Sequence, residues 1–276
     1  MTNPHAEVIG DPIAHSKSPM IHGFWLEKLG LTGDYRKTHV RDAELGDFFA
    51  ARRKDPDWRG CNVTVPHKQA VMPHLDEVDA DAAAIGAVNT VVNEGGRLIG
   101  RNTDVTGIEK PLGRLLGPHA ALSDPVVLIG AGGAARAAIH ALGRLFAGDK
   151  PELVIVNRSM PRAQALLAEF GWEGAVLPLG GAIPPTRLLL NASSLGMTGQ
   201  PPLPANLNRM HSDGIVFDFV YAPLDTELLI EARRRGLHVI DGLTMLIGQA
   251  ERAFEHFFGS APPARTDAEL RALLTA

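Results

Sequence analysis

The sequence predicts an α/β fold of two domains, the second built on a doubly wound parallel sheet. Three observations carry this expectation. At 276 residues the chain exceeds the usual size of one domain. The apolar run Val126-Val127-Leu128-Ile129 enters the turn Gly130-Ala131-Gly132-Gly133, and an alanine-rich stretch from Ala134 to Leu142 follows, so strand, tight turn and helix succeed one another. Beyond it, short apolar runs alternate with helical spacing, as in parallel β-α-β units.

In chain order, residues 7–10 predict a first strand that turns at Asp11-Pro12. In His15-Ser16-Lys17-Ser18-Pro19, Ser18 and Pro19 suit the N-cap and first position of a helix. Ile21, Phe24, Trp25 and Leu29 then recur at helical spacing until Gly30 stops the helix. Such a helix start, carrying the hydroxyls of Ser16 and Ser18, is a receptor for a carboxylate. Ser18 alone reads first as a cap; Ser16 is not needed for that, and the pair points to a ligand. Residues 35–40 predict a strand, Leu45, Phe48 and Phe49 an amphipathic helix, and residues 60–65 a further strand. Pro66 suits the first position of a following helix, which places Lys68 in its first turn, at the end of the dipole that disfavours a cation. A solvated lysine is the plain alternative; burial there beside positive charge suits proton transfer. Residues 80–85 predict a helix closed by Gly86, and residues 87–92 and 97–99 a hairpin around Asn93-Glu94-Gly95-Gly96. Asn102-Thr103-Asp104 precedes a helix over 105–116, for which Asp104 reads first as the N-cap.

A helix-free connection over 118–125 leads to the glycine turn. Gly130, Gly132 and Ala135 fill the G-x-G-x-x-G/A pattern, in which the backbone approaches a pyrophosphate at a helix start. The next strand, residues 153–156, ends in Asn157-Arg158-Ser159, with Arg162 one helical turn further on. An acidic residue there would bind the ribose 2′-hydroxyl of NAD; an amide and guanidinium groups favour the 2′-phosphate of NADP. A helix over 161–170, a strand over 188–190, a proline-rich loop over 201–204, a strand over 215–221, a helix over 226–235 and a strand over 238–240 complete the alternation. Ser194, Met197 and Tyr221 fall at carboxyl ends of strands, where ligands of such sheets bind. A last helix over 243–258, with Leu246, Ala250, Phe254 and Phe257 at helical spacing and Gln249 on a neighbouring face, returns to the first domain.

Composition excludes several classes. Hydrophobic residues make up 45% and charged residues 21%, enough for ordinary cores. A net charge of -4 and a pI near 6.3 leave no electrostatic footprint for nucleic acid or an anionic membrane. Cys61 is the single cysteine, so no intramolecular disulfide forms, and no CxxC or HExxH spacing proposes a metal. A reducing, cytoplasmic setting is expected. His5, Glu7 and Asp11 stand where a signal peptide needs an apolar core, and no run approaches the roughly 20 apolar residues of a membrane span.

Taken together, the motifs resemble the shikimate dehydrogenase family over nearly the whole chain. The matching blocks are Val8-Ile9-Gly10-Asp11-Pro12-Ile13-Ala14-His15-Ser16-Lys17-Ser18-Pro19, Asn62-Val63-Thr64-Val65-Pro66-His67-Lys68, Gly86-Ala87-Val88-Asn89-Thr90, Asn102-Thr103-Asp104, residues 130–136, Asn157-Arg158-Ser159, residues 191–197, and Gly242-Leu243-Thr244-Met245-Leu246 with Gln249. Gly23, Val105 and Phe257 depart from the family's usual Asn, Gly and Trp. The resemblance implies reversible NADPH-dependent reduction of 3-dehydroshikimate to shikimate. It implies that Lys68 and Asp104 are the catalytic pair, that Ser16 and Ser18 hold the substrate carboxylate with Tyr221 nearby, and that Thr64, Asn89 and Gln249 bind ring hydroxyls. Gly130, Ala131, Gly132, Gly133, Ala134, Asn157, Arg158, Ser159, Arg162, Ser194, Met197 and Gly242 would hold NADP, and no metal is implied. Residues 1–104, completed by 243–276, would bind substrate and residues 105–242 the dinucleotide. The partner is a small-molecule substrate, with a homodimer left open. Two alternatives stand beside this reading: a quinate/shikimate paralogue using NAD, which Asn157-Arg158 opposes, and a non-catalytic NADP-responsive regulator, which the presence of both Lys68 and Asp104 opposes.

Overall fold

The computed structural model describes residues 3–117, 121–204 and 206–276, so part of the expected 118–125 connection lies outside the described residues. The chain divides into two compact units, residues 1–106 with 247–276, and residues 107–246.

The first unit contains β1 (His5–Gly10), α1 (Ser18–Leu29), β2 (Asp34–His39), α2 (Leu45–Arg52), β3 (Trp58–Val63), β4 (Glu77–Val78), α3 (Ala80–Ile85), β5 (Thr90–Glu94) and β6 (Arg97–Arg101). Its sheet runs β2-β1-β3-β5-β6-β4. β1 pairs parallel with β2 and β3, whereas β5 runs antiparallel to both β3 and β6. β1 is buried along its whole length, and its alternation serves two cores. Ala6 and Val8 pack with Ala253 and Phe257, while Ile9 joins Leu45, Phe49, Trp58 and Val91 on the other face.

Glu7, in the middle of β1, is fully buried and fully used. Arg52 of α2 grips its carboxylate through Nε at 2.7 Å and Nη2 at 3.1 Å, Trp58 Nε1 donates at 2.7 Å, and the Thr38 hydroxyl donates to Oε2. A buried charge is tolerated only with such complete partnering. The His22 ring of α1 is also buried, stacked on Tyr35 at 3.9 Å between centroids and edge-on to Trp25.

α4 (Asp104–Leu116) leads into the second unit, which contains β7 (Val126–Ile129), α5 (Gly133–Leu145), β8 (Leu153–Asn157), α6 (Met160–Glu169), β9 (Gly174–Pro178), β10 (Thr186–Asn191), β11 (Met210–Asp218), α7 (Glu227–Arg234) and β12 (His238–Ile240). Its sheet, β12-β11-β10-β7-β8-β9, is parallel throughout, the doubly wound arrangement that the alternation predicts. α8 (Gly242–Phe258) carries the chain back to the first unit, where α9 (Asp267–Thr275) packs on α1, burying Leu270 and Leu274. Among the described residues no helix is long and apolar enough to cross a membrane.

Three local expectations are corrected. Ser18 is not the cap of α1: Lys17 holds that position at φ -91°, ψ -3°, and its carbonyl accepts from Met20 and Ile21. Ser18 is itself helical, so its hydroxyl does not turn back over the helix start. No helix begins at Pro66. Residues 65–71 form turns, because the Lys68 carbonyl accepts from the Val88 N–H at 2.7 Å instead of continuing a helical ladder. Lys68 therefore stands at no helix end, and the dipole argument for it lapses. The helix expected from 105 begins one residue earlier, with Asp104 inside it. The sequence patterns do not predict β4, β9 or α9: β4 has two residues, β9 is a partly exposed edge strand, and α9 buries only two leucines.

Burial pushes the His22 imidazole down from 6.5 to about 3. The folded core accepts only the neutral ring, whereas the unfolded chain takes up the proton near 6.5. His22 thus contributes its full stability above pH 6.5, and that contribution declines as the pH falls from there toward 3, at up to about 1.4 kcal/mol per pH unit. His256, pushed down to about 4 by burial and by Arg101 and Arg252, acts in the same direction. His22→Phe is expected to flatten the decline without abolishing it, in urea unfolding measured at successive pH values below 6.5. An unaltered slope would assign the acid sensitivity to other groups.

Candidate active site

In the first unit, Lys68 leaves the turn that follows β3, and Asp104 opens α4 just after β6. Lys68 Nζ lies 2.5 Å from Asp104 Oδ2, with the two side chains 17% and 6% exposed. The other carboxylate oxygen, Oδ1, accepts from Asn89 Nδ2 at 2.8 Å. Asp104 is the first residue of α4 rather than its N-cap, and each of its oxygens is engaged by a side chain. Asn89 donates also to Thr103 Oγ1 at 3.1 Å, and its own oxygen accepts from the Thr103 N–H at 2.7 Å. Gln249 of α8 joins the set through Thr103 Oγ1 at 3.4 Å. Lys68, Asp104, Asn89 and Gln249, far apart in sequence, are thus one hydrogen-bonded group.

Ser16 and Ser18 lie together at the start of α1, with 3.3 Å between their hydroxyl oxygens and the Ser18 N–H donating to Ser16 Oγ at 3.3 Å. Thr64 is half-buried at the end of β3, packed so closely under Gly10 that a Cβ there would stand 2.6 Å from its methyl group. Neither the serine pair nor Thr64 bonds directly to the Lys68 group among the described residues. The residues that sequence reasoning missed are Thr103, Thr90 and Asn62, all buried hydroxyl or amide side chains. Each lies inside a block that carries the family resemblance, but the sequence alone gives none of the three a partner.

In the second unit the glycine turn has the geometry that its pattern requires. Gly130 has φ 108°, and a Cβ on it would meet the Ala192 carbonyl oxygen at 3.0 Å. Gly132 caps α5 with nothing within 4 Å of where its Cβ would be, so the space before the helix start is open. Ala131 and Ala135 are buried beneath the turn, with Gly133 and Ala134 half-buried. At the end of β8, Asn157 Nδ2 donates to the Ser159 carbonyl at 2.8 Å. Arg158, Ser159 and Arg162 are exposed, and neither arginine has an ion pair among the described residues. Arg136, by contrast, is committed to Glu169 of α6, whose carboxyl that guanidinium holds below its usual range.

Ser194 and Met197 are exposed on the loop after β10. The loop is anchored by Asn191, which accepts from Ser193 Oγ at 2.6 Å and donates to Asp218 Oδ1 at 2.9 Å. Asp218 is fully buried and also receives the Thr226 hydroxyl at 2.6 Å and the Val220 N–H at 3.1 Å. Burial raises its carboxyl against the pull of those hydrogen bonds. Tyr221 follows, its phenol likewise raised by burial. Gly242 opens α8 where a Cβ would lie 2.4 Å from the Val220 carbonyl oxygen.

A parallel sheet with an open glycine turn, together with an ammonium held on a buried carboxylate, defines the class: a dinucleotide-dependent oxidoreductase. The chain belongs to the shikimate dehydrogenase family. Residues 8–91 match the shikimate dehydrogenase substrate binding domain, and residues 242–269 the shikimate 5'-dehydrogenase C-terminal domain. A shikimate dehydrogenase (NADP(+)) of Sphingopyxis alaskensis is 55% identical over 99% of this chain and 98% of its own length. One from Methylobacterium radiotolerans is 45% identical over 98% and 96%. Among solved structures, shikimate 5-dehydrogenase of Thermus thermophilus, in complex with NADP(H) and shikimate, superposes with a TM-score of 0.84 at 38% identity, over 98% of this chain and 99% of that one.

Gly130→Val is expected to lower the unfolding free energy by about 1–3 kcal/mol, because a β-branched residue is strained at that φ and meets the Ala192 carbonyl. Urea unfolding checks this. Native-like stability would mean that the turn relaxes away from β10.

Proposed function

We propose that this chain catalyses the reversible, NADPH-dependent reduction of 3-dehydroshikimate to shikimate, a step of aromatic biosynthesis. The observation that carries the proposal is the 2.5 Å contact between Lys68 and Asp104 within the buried polar group of the first unit. When bound, the dinucleotide supplies the hydride. Reduction of a ketone places negative charge on its oxygen, so a cation able to release a proton is needed within hydrogen-bond reach. Lys68 meets both needs. Asp104 holds the ammonium in place and balances its charge, and Asn89 fixes the carboxylate.

The remaining roles follow from chemistry. The hydroxyls of Ser16 and Ser18, at the start of α1, suit the substrate carboxylate, with Tyr221 a further donor to it. Thr64, Asn89 and Gln249 offer neutral donors and acceptors to ring hydroxyls. In the second unit the residues present fit NADP: the space before α5 is open, and two exposed arginines have no ion pair of their own among the described residues. Gly130, Ala131, Gly132, Gly133 and Ala134 would bring backbone N–H groups to the pyrophosphate. Arg158 and Arg162 would pair with the 2′-phosphate, with Asn157 and Ser159 beside the adenosine. Ser194, Met197 and Gly242 complete the dinucleotide site. The first unit is thus the substrate domain and the second the NADP domain. A reducing, cytoplasmic setting fits the lone buried Cys61.

Followed at the nicotinamide absorbance band, Lys68→Ala is expected to lower kcat by at least about 100-fold with a modest change in KM for shikimate. Near-normal turnover would remove Lys68 from the chemistry. Arg158→Ala is expected to weaken NADPH far more than NADH. Equal losses for the two would mean that the 2′-phosphate is read elsewhere.

A further inference from the structure

The Lys68–Asp104 pair stands at one end of a line of buried side chains that the proposed chemistry does not use. Tyr35 of β2, Asn62 of β3 and Thr90 of β5 are 6%, 5% and 0% exposed. The Tyr35 phenol donates to Asn62 Oδ1 at 2.6 Å, and Asn62 Nδ2 donates to Thr90 Oγ1 at 3.0 Å. The Thr90 hydroxyl donates to Asn89 Oδ1 at 2.9 Å, and Asn89 Nδ2 reaches Asp104 Oδ1 at 2.8 Å.

The direction of this line is determined by backbone groups. Asn89 Oδ1 accepts the Thr103 N–H at 2.7 Å, which only the oxygen of the amide can do. Asn62 Nδ2 donates to the Asn89 carbonyl at 3.3 Å, which only the nitrogen can do. With both amides pinned, Thr90 accepts from Asn62 and gives its own hydrogen to Asn89 Oδ1 at 2.9 Å, the shorter of its two contacts, the other being Thr103 Oγ1 at 3.3 Å. Tyr35 must donate, and burial pushes its phenol well above the usual range, so it keeps its proton. The charged and titratable neighbours are few. Lys68 is bonded to Asp104, while Tyr35 is faced by His22 and the Ser18 hydroxyl from α1, Cys61 from β3 and Glu7 from β1, with Glu7 ion-paired to Arg52.

We propose that Tyr35, Asn62 and Thr90 are positioning residues, a one-way hydrogen-bond line that, together with the Thr103 N–H, holds Asn89 as a donor to Asp104 and so supports the carboxylate that anchors Lys68. This rests on the reading of Lys68 and Asp104 as the reacting pair. Each link points its hydrogen toward Asp104, so the links polarise one another, and the carboxylate form is the one they serve. A carboxylate deprived of that support takes up a proton at higher pH, and the ammonium then loses its anchor.

The test is the pH profile of 3-dehydroshikimate reduction in Thr90→Val, Tyr35→Phe and Thr90→Ser. In the first two the acid limb of kcat/KM is expected to move to higher pH by about half a unit, with kcat about threefold lower and the KM within about twofold of native. Thr90→Ser, which keeps the hydroxyl, is expected to restore the native profile. If Thr90→Val does not fold, Tyr35→Phe, which keeps the ring, decides by the same profile. An unmoved acid limb in enzyme that Lys68→Ala inactivates would overturn the positioning line alone. An active Lys68→Ala variant would instead overturn the reading of the pair, and the line with it.

Discussion

A carboxylate is tolerated in a protein interior only when every oxygen is served, and the first unit is arranged around doing this for Asp104. One oxygen takes the Lys68 ammonium and the other the Asn89 amide. The partners come from separate stretches that only a sheet brings side by side. β3 and β5 pair antiparallel with Asn62 opposite Thr90, and β5 and β6 pair with Thr90 opposite Arg101. Lys68 therefore follows one end of this ladder, Asn89 precedes β5, and Asp104 follows β6, all at the same edge. The same logic governs Glu7, where Arg52, Trp58 and Thr38 converge on a fully buried carboxylate in the middle of β1. Both acids are buried, Glu7 at 0% and Asp104 at 4% exposure, and both are partnered on each oxygen.

The second unit answers a different requirement, that of bringing backbone rather than side chains toward a ligand. Gly130 stands so close to β10 that a side chain would meet the Ala192 carbonyl, whereas Gly132 faces open space. The two glycines thus have opposite reasons for lacking a Cβ: one permits strand and turn to pack, and the other leaves room before the helix. Asp218 organises the neighbouring loops from below, tying Asn191, Val220 and Thr226 to one buried carboxylate. Exposed binding loops are held this way by a few enclosed polar contacts, so the residues on top remain free to meet a ligand.

Much of this was legible in the letters. The doubly wound sheet follows from alternating periodicities, and the glycine turn, the hairpin at Gly95-Gly96 and the stops at Gly30 and Gly86 follow from local backbone preferences. The departures cluster at helix starts. Ser18, Pro66 and Asp104 each carry helix-start propensity, and none of them fills the position that it suggests. At two of the three a contact from elsewhere in the chain decides: Asp104 is taken by Lys68 and Asn89, and the Lys68 carbonyl after Pro66 is taken by Val88. Propensity is a difference of about 1 kcal/mol or less, and a satisfied buried hydrogen bond or ion pair outweighs it.

The sequence by itself determined the order and type of most elements, the glycines of the turn, the arginines after β8 and the residue types from which a lysine–carboxylate site is made. Those depend on interactions within a few positions of each other, which patterns of neighbouring residues record. Only the tertiary structure decided that Lys68 rests on Asp104, that Asn89 points its nitrogen at that carboxylate, and that Tyr35, Asn62 and Thr90 stand in line behind it. Hydrogen-bond direction and burial are properties of what surrounds a group in space, and the surroundings of Asp104 are supplied by strands and turns scattered through the first unit.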